Sequence, residues 1–164
     1  MDAFVIDAFE FCRTNSLREG VMPVAEMTRL SKECADNSGS ITWKAEGSTS
    51  KQGFPQMRLS VSGTVQLNCQ RCLTPFGHAI DSSTLLMFGK DDAHADEIEE
   101  IIDDESIDVV VGTRDMKLMD LVEDEALLAL PQAPKHEQCP DAALLEKARS
   151  EKPSPFAGLQ SLKK

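Results

Sequence analysis

Two cysteines, Cys69 and Cys72, stand two residues apart in "SGTVQLNCQRCLTPF". A CxxC pair is open to three chemistries. As half of a metal site it needs two more ligands, and "HEQC" supplies His136 and Cys139, again closely spaced, with 63 residues lying between Cys72 and His136. Cys69, Cys72, His136 and Cys139 make a Cys3His set, the donor types and number of a closed structural zinc site, so zinc is the candidate cofactor. As a redox pair, CxxC belongs at a helix N-terminus after a strand, where the helix dipole lowers the thiol pKa. Here "LTPF" follows, and Pro75 with the β-like run after it argues against a helix. The third reading is a half-buried turn that holds no ligand. Arg71, inside the pair, is either a solvated turn tip or a cation offered to a carboxylate or phosphate.

These residues must be carried by particular elements. "RLSVSGTVQLNC" sets Leu59, Val61, Val65, Leu67 and Cys69 on one side and Ser60, Ser62, Thr64, Gln66 and Asn68 on the other. Period two over this length is a strand with one face on a core, and Gly63 on the apolar face predicts a bulge or bend. "FGHAIDSSTLLMF" keeps Phe76, Ile80, Leu86 and Phe88 in phase, so the two runs form a hairpin with CQRC as its turn. His78 falls on that mostly apolar face, where a satisfied core histidine is expected. The second half-site follows "RDMKLMDLVEDEALLALP", a helix with a stripe of Leu118, Leu121, Val122, Ala126 and Ala129 that Pro131 ends. Glu125 falls inside that stripe, either at its edge or as a buried partner of Arg71 or His78.

Around this frame, "DAFE" has capping-box spacing and predicts a short helix through Phe11. "MPVAEMTRLSKECA" predicts another, with Pro23 at its first position and Val24, Met27, Leu30 and Cys34 on one face. "SITWKAE" and "SIDVVVG" read as short strands, and "DAALLEKARS" as a weaker helix. The expected fold is α+β, with a mostly antiparallel sheet that curls or forms a partial barrel, since strands joined by tight turns cannot be parallel. Residues 1–147 form one domain with an acidic, mobile loop at about 91–105. Residues 148–164 form a flexible tail whose Phe156, Leu159 and Leu162 make a short amphipathic segment.

Charge narrows the function classes. The net charge is −11; residues 1–90 balance nine acids with nine bases, and residues 91–164 hold nineteen acids and eight bases. "DDAHADEIEEIIDDESID", residues 91–108, has ten acids and no Lys or Arg. Such a block repels phosphate, so nucleic acid would have to meet another face or a basic partner protein. No run approaches the ~20 apolar residues of a membrane span. "MDAFVIDAFEF" lacks a basic n-region, so no secretory signal is expected. Five scattered cysteines are expected to be reduced cytosolic thiols. There is no Ser-His-Asp arrangement, phosphate-cradling glycine loop or HExxH, so neither an enzyme nor a small-molecule substrate is expected.

Three stretches, "GTVQLNCQRCLTPF", "LVEDEALLALPQAPKHEQC" and "PSPFAGLQSLKK", resemble in order and spacing the signature segments of the YceD family, the large ribosomal RNA subunit accumulation proteins. The resemblance covers most of the chain outside the acidic segment. It implies a bacterial cytoplasmic protein, or an organellar relative, needed for accumulation or processing of the large-subunit 23S rRNA, with no known catalytic activity. Other branches of that family carry a second cysteine pair downstream; here only Cys139 stands there, with His136 nearby. The expected function is a non-catalytic accessory factor that binds a ribosome-assembly protein or a basic ribosomal protein. Arg71, Glu123, Asp124, Glu125, Phe156, Leu159 and Leu162 are the candidate contacts. A direct rRNA binder and a zinc- or thiol-dependent redox sensor are the alternatives.

Overall fold

A computed structural model describes residues 4–139 and 155–162. The expected domain boundary at 147–148 and the "DAALLEKARS" helix lie outside those residues. Among the described residues, seven strands and four helices follow in order. They are β1 (Val5–Ile6), α1 (Ala8–Arg13), β2 (Leu17–Pro23), α2 (Leu30–Glu33), β3 (Ser40–Thr49), β4 (Pro55–Asn68) and β5 (Pro75–Gly89). Then come α3 (Asp92–Ile102), β6 (Ile107–Val111), β7 (Met116–Lys117) and α4 (Leu118–Leu128). A single 3-10 turn at Ala157–Leu162 holds the described tail.

Strands β2-β3-β4-β5-β6 form one curled sheet that does not close, and β1 pairs with β7 in a small ladder beside it. The β2–β3, β3–β4 and β4–β5 pairs are antiparallel, and β5–β6 is parallel. The fold is therefore α+β with a mostly antiparallel curled sheet and flanking helices.

The alternation in β4 and β5 sets the core face. Leu59, Val61, Val65 and Leu67 of β4 lie beside Ile41, Trp43 and Ala45 of β3 and Ile80, Leu86 and Phe88 of β5, all buried. Helices α1 and α4 pack over this face, bringing Phe11, Cys12, Leu118, Val122 and Ala126 into the same cluster. Each fully buried Leu, Ile, Val or Phe contributes roughly 1.5–3 kcal/mol, so this sheet–helix contact is the main source of cohesion. Asp7 caps α1, its Oδ1 accepting from the N–H of Phe9 at 3.0 Å and of Glu10 at 3.1 Å.

Three expectations are corrected. The acidic stretch 91–105 is a helix, not a loop. Strand β6 runs parallel to β5, so the 17 residues between Gly89 and Ile107 must return along the sheet, and parallel strands are joined by a crossover, usually a helix. Ala95 and Ile98, three residues apart, supply a narrow apolar stripe that is buried against the face of the sheet opposite α1 and α4, where Met87 is also buried. The acids lie on the exposed circumference, together with Ile101. Gly63 is no bulge: it pairs in register with both Ile41 and Ile80. It is glycine because a Cβ there would overlap the carbonyl oxygen of Ser40. The segment expected as one helix from Pro23 is broken. Pro23 ends β2, a 3-10 turn spans Val24–Glu26, Met27 is extended, and α2 starts only at Leu30. The break exists because the N–H groups of Arg29 and Leu30 bond to Glu123 on α4 instead of to a preceding helical turn.

Candidate metal centre

The hairpin between β4 and β5 narrows to six residues, 69–74. The Cys69 N–H donates to the Thr74 carbonyl at 3.0 Å and the Leu73 N–H to the Cys69 carbonyl at 2.9 Å, which closes the turn. Leu73 takes a left-handed conformation, φ 60°, that lets the chain double back. In this geometry the Arg71 N–H points at Cys69 Sγ, 3.4 Å away, and Cys72 Sγ lies 2.9 Å from Thr74 Oγ1. The turn thus aims both sulfurs to one side.

The chain after α4 returns to that side. The Gln70 N–H donates to the Pro134 carbonyl at 2.8 Å, tying the turn to the segment that carries His136 and Cys139. The His136 ring lies against Phe76, centroids 4.7 Å apart, which fixes its plane. Its Nδ1 is then 3.4 Å from Cys72 Sγ, and Cys69 Sγ is 3.7 Å from Cys139 Sγ. All four donor atoms lie within 4.8 Å of one another. Ligands about 2.3 Å (sulfur) and 2.0 Å (nitrogen) from a tetrahedral zinc ion are mutually separated by roughly 3.5–3.8 Å. The Cys72–His136 and Cys69–Cys139 separations match that spacing, and with every donor pair inside 4.8 Å a small inward shift brings the set around one ion.

The electrostatics follow from the same contacts. Burial opposes ionisation of Cys69, but N–H groups of Cys72, His136 and Arg71, with the His136 side chain, reverse that and hold its thiol well below the usual range. Cys139 is pushed the other way, by burial and then by the neighbouring sulfurs of Cys69 and Cys72. Three sulfurs this close repel one another once ionised. A divalent cation removes that repulsion, which is why such a set favours a metal. A metal held here would join the hairpin tip to the post-α4 segment and leave no ligand position for chemistry, the pattern of a structural site.

The remaining sequence candidates are dispersed. Arg71 is exposed at the hairpin tip. Glu123, 8% exposed, accepts from the N–H of Arg29 at 2.6 Å and of Leu30 at 2.9 Å, and pairs with the Arg29 guanidinium at 3.2 Å. Asp124 pairs with the same guanidinium. Glu125 is buried, and its partner is Ser82 of β5, whose Oγ donates at 2.5 Å, rather than Arg71 or His78. Phe156, Leu159 and Leu162 are all exposed, at 70%, 55% and 74%. Thr74, Phe76 and Pro134 position the cysteine–histidine cluster and were not foreseen. Only Thr74, two residues after Cys72, carried a local signal; the other two act through contacts across more than fifty residues.

Among the described residues no helix is long and apolar enough to cross a membrane. No solved structure gives a significant match to the chain. It is similar to the Large ribosomal RNA subunit accumulation protein YceD of Haemophilus influenzae, 31% identical over 121 residues that cover 66% of this chain and 68% of that protein. The family model described as Large ribosomal RNA subunit accumulation protein YceD matches residues 57–163, from the start of the hairpin through the tail. With the hairpin, the acidic helix and the cysteine–histidine segment all inside that span, this chain belongs to the YceD family.

Proposed function

We propose that this protein is a non-catalytic accessory factor in large ribosomal subunit biogenesis, needed for accumulation or processing of 23S rRNA, and that it acts in the cytoplasm by binding an assembly partner. The observation that carries the reading is membership of a family named for large-subunit rRNA accumulation, in a chain whose cysteine–histidine cluster has the form of a closed structural site. Zinc is the ion assigned to Cys69, Cys72, His136 and Cys139, because three thiolates and one imidazole suit it in type and number. Its role is to fix the hairpin tip, and with it Arg71, against the segment after α4.

The partner is a ribosome-assembly protein or a basic ribosomal protein. A surface dominated by carboxylates repels bare rRNA and attracts cations. The tail supplies a second contact: Phe156, Leu159 and Leu162 stand at helical spacing and are exposed, a pattern suited to insertion in a partner's groove. Complementation of a null strain tests the function. Wild type restores large-subunit rRNA, and Phe156→Ala with Leu159→Ala does not, while the purified double variant melts like the parent. Full rescue by the double variant removes the tail from the mechanism. Failure of wild type to alter rRNA levels removes the function.

A further inference from the structure

A cleft of about 610 Å³ opens between α4 and β6, the terminal strand of the sheet. It exists because α4 packs on β4 and β5, whereas β6 is added beyond them by the α3 crossover. The residues of β6 in register with Leu86 and Phe88 are Asp108 and Val110, and they extend the core face past the helix. The floor is apolar, made by Leu59, Leu86, Val110 and Leu121, and Leu128 stands at the mouth, 79% exposed. Around this floor the lining carries seven carboxylates and no Lys, Arg or His. Glu99 comes from the end of α3, Asp103, Asp104 and Glu105 from the link after it, Asp108 from β6, and Asp124 and the buried Glu125 from α4.

An apolar floor inside a rim of carboxylates, of which Asp124 alone is shared with the Arg29 guanidinium, selects its occupant. Low-dielectric walls concentrate the field of the carboxylates, so an anionic chain such as RNA, an acidic peptide or an anionic membrane is repelled. Free cations gain the charge but not the floor. Lys and Arg gain both, laying aliphatic stems on apolar surface with their heads at the rim, and neighbouring Leu-type side chains fill the floor between them. We propose that the cleft between α4 and β6 docks a Lys/Arg-rich amphipathic segment of a partner protein. This deepens the partner-binding reading above and rests on it for the partner's existence; the docking chemistry rests on the cleft alone.

The probe is a fluorescent peptide of Leu and Lys at helical spacing, titrated by anisotropy into the full-length protein near physiological salt. Its Lys–Gly counterpart and spermidine serve as probes of charge alone. Asp108→Lys with Glu105→Lys reverses the rim. Glu97→Lys with Glu100→Lys makes the same charge change at exposed positions of α3 that do not line the cleft. The rim pair is expected to weaken the Leu–Lys peptide about tenfold or more, the α3 pair less than about threefold, in line with charge-reversal effects at a contact against those at a distance. Leu128→Gln, at an exposed position that cannot unfold the core, is expected to weaken it at least about threefold, and it carries the test should the rim pair fold poorly. Equal weakening by the two charge pairs, or binding of the Lys–Gly peptide or spermidine as tight as that of the Leu–Lys peptide, overturns the docking site in favour of bulk charge. Binding about tenfold tighter after deletion of residues 155–164 also overturns it, because the cleft then belongs to the chain's own tail. A rim pair that loses the peptide yet restores rRNA fully sinks this inference and spares the proposed function; a wild-type protein that binds the peptide through the rim yet does not restore rRNA sinks the proposed function and spares the docking chemistry.

Discussion

Glu123 reaches across 94 residues of sequence to hold the backbone N–H of Arg29 at 2.6 Å. The same carboxylate oxygen takes the N–H of Leu30 at 2.9 Å, so one buried side chain satisfies the two donors that the broken helix before α2 leaves over. Glu123→Ala leaves the Leu30 N–H buried without a partner and is expected to cost on the order of 3 kcal/mol in urea unfolding. Glu123→Gln, which keeps one acceptor, should cost about 1 kcal/mol. Equal, small losses for the two variants would mean that water reaches the break.

The cysteine–histidine cluster should bind about one zinc per chain, measured by elemental analysis of protein purified without added metal. Cys72→Ser should lower the content sharply. A strong chelator should lower the melting temperature by several degrees, since a site formed only in the folded state adds its binding energy to folding. Unchanged melting with chelator would take the ion out of the account of stability.

The acidic helix α3 is held by a narrow stripe, so its response to substitution should be lopsided. Ile98 is fully buried, and Ile98→Ala is expected to cost about 3 kcal/mol. Glu97→Ala on the exposed face should stay within about 0.5 kcal/mol. Amide exchange sharpens the comparison: the N–H groups of α3 around Ile98 should exchange slowly, and rapid exchange throughout 92–102 would show that the crossover is only loosely attached.

Two strand glycines should respond with opposite sign. At Gly63 an added Cβ overlaps the Ser40 carbonyl, so Gly63→Ala is expected to destabilise by about 2 kcal/mol or more. At Gly77 the nearest atoms to an added Cβ, on Gln66 and Thr64, are 3.5 Å away, an ordinary contact. Gly77→Ala should be neutral or stabilise by up to about 1 kcal/mol through the unfolded chain. Thermal melts of both variants decide it, and similar losses would disprove the close approach at Gly63.

Period two in "RLSVSGTVQLNC" determined, without any tertiary information, which side of β4 faces the core. The Pro and turn residues after it determined that CQRC closes a hairpin rather than opening a helix. The same local rules placed the Asp7 cap and the apolar stripe of α4, because each depends on residues within a turn or two of one another. The four candidate ligands were legible as donor types and spacing. That they converge was decided only by the fold, through the Gln70–Pro134 hydrogen bond and the Phe76–His136 contact, which join segments more than fifty residues apart. The acidic block was misread for the same reason. Ten carboxylates in 91–108 suggest solvent, and its short stripe of Ala95 and Ile98 has meaning only once β6 pairs parallel to β5 and demands a crossover. Charge and periodicity are properties of neighbours along the chain. Register, the partner of a buried carboxylate and the cleft beside α4 are properties of neighbours in space, and loop-closing contacts over such distances leave no local trace.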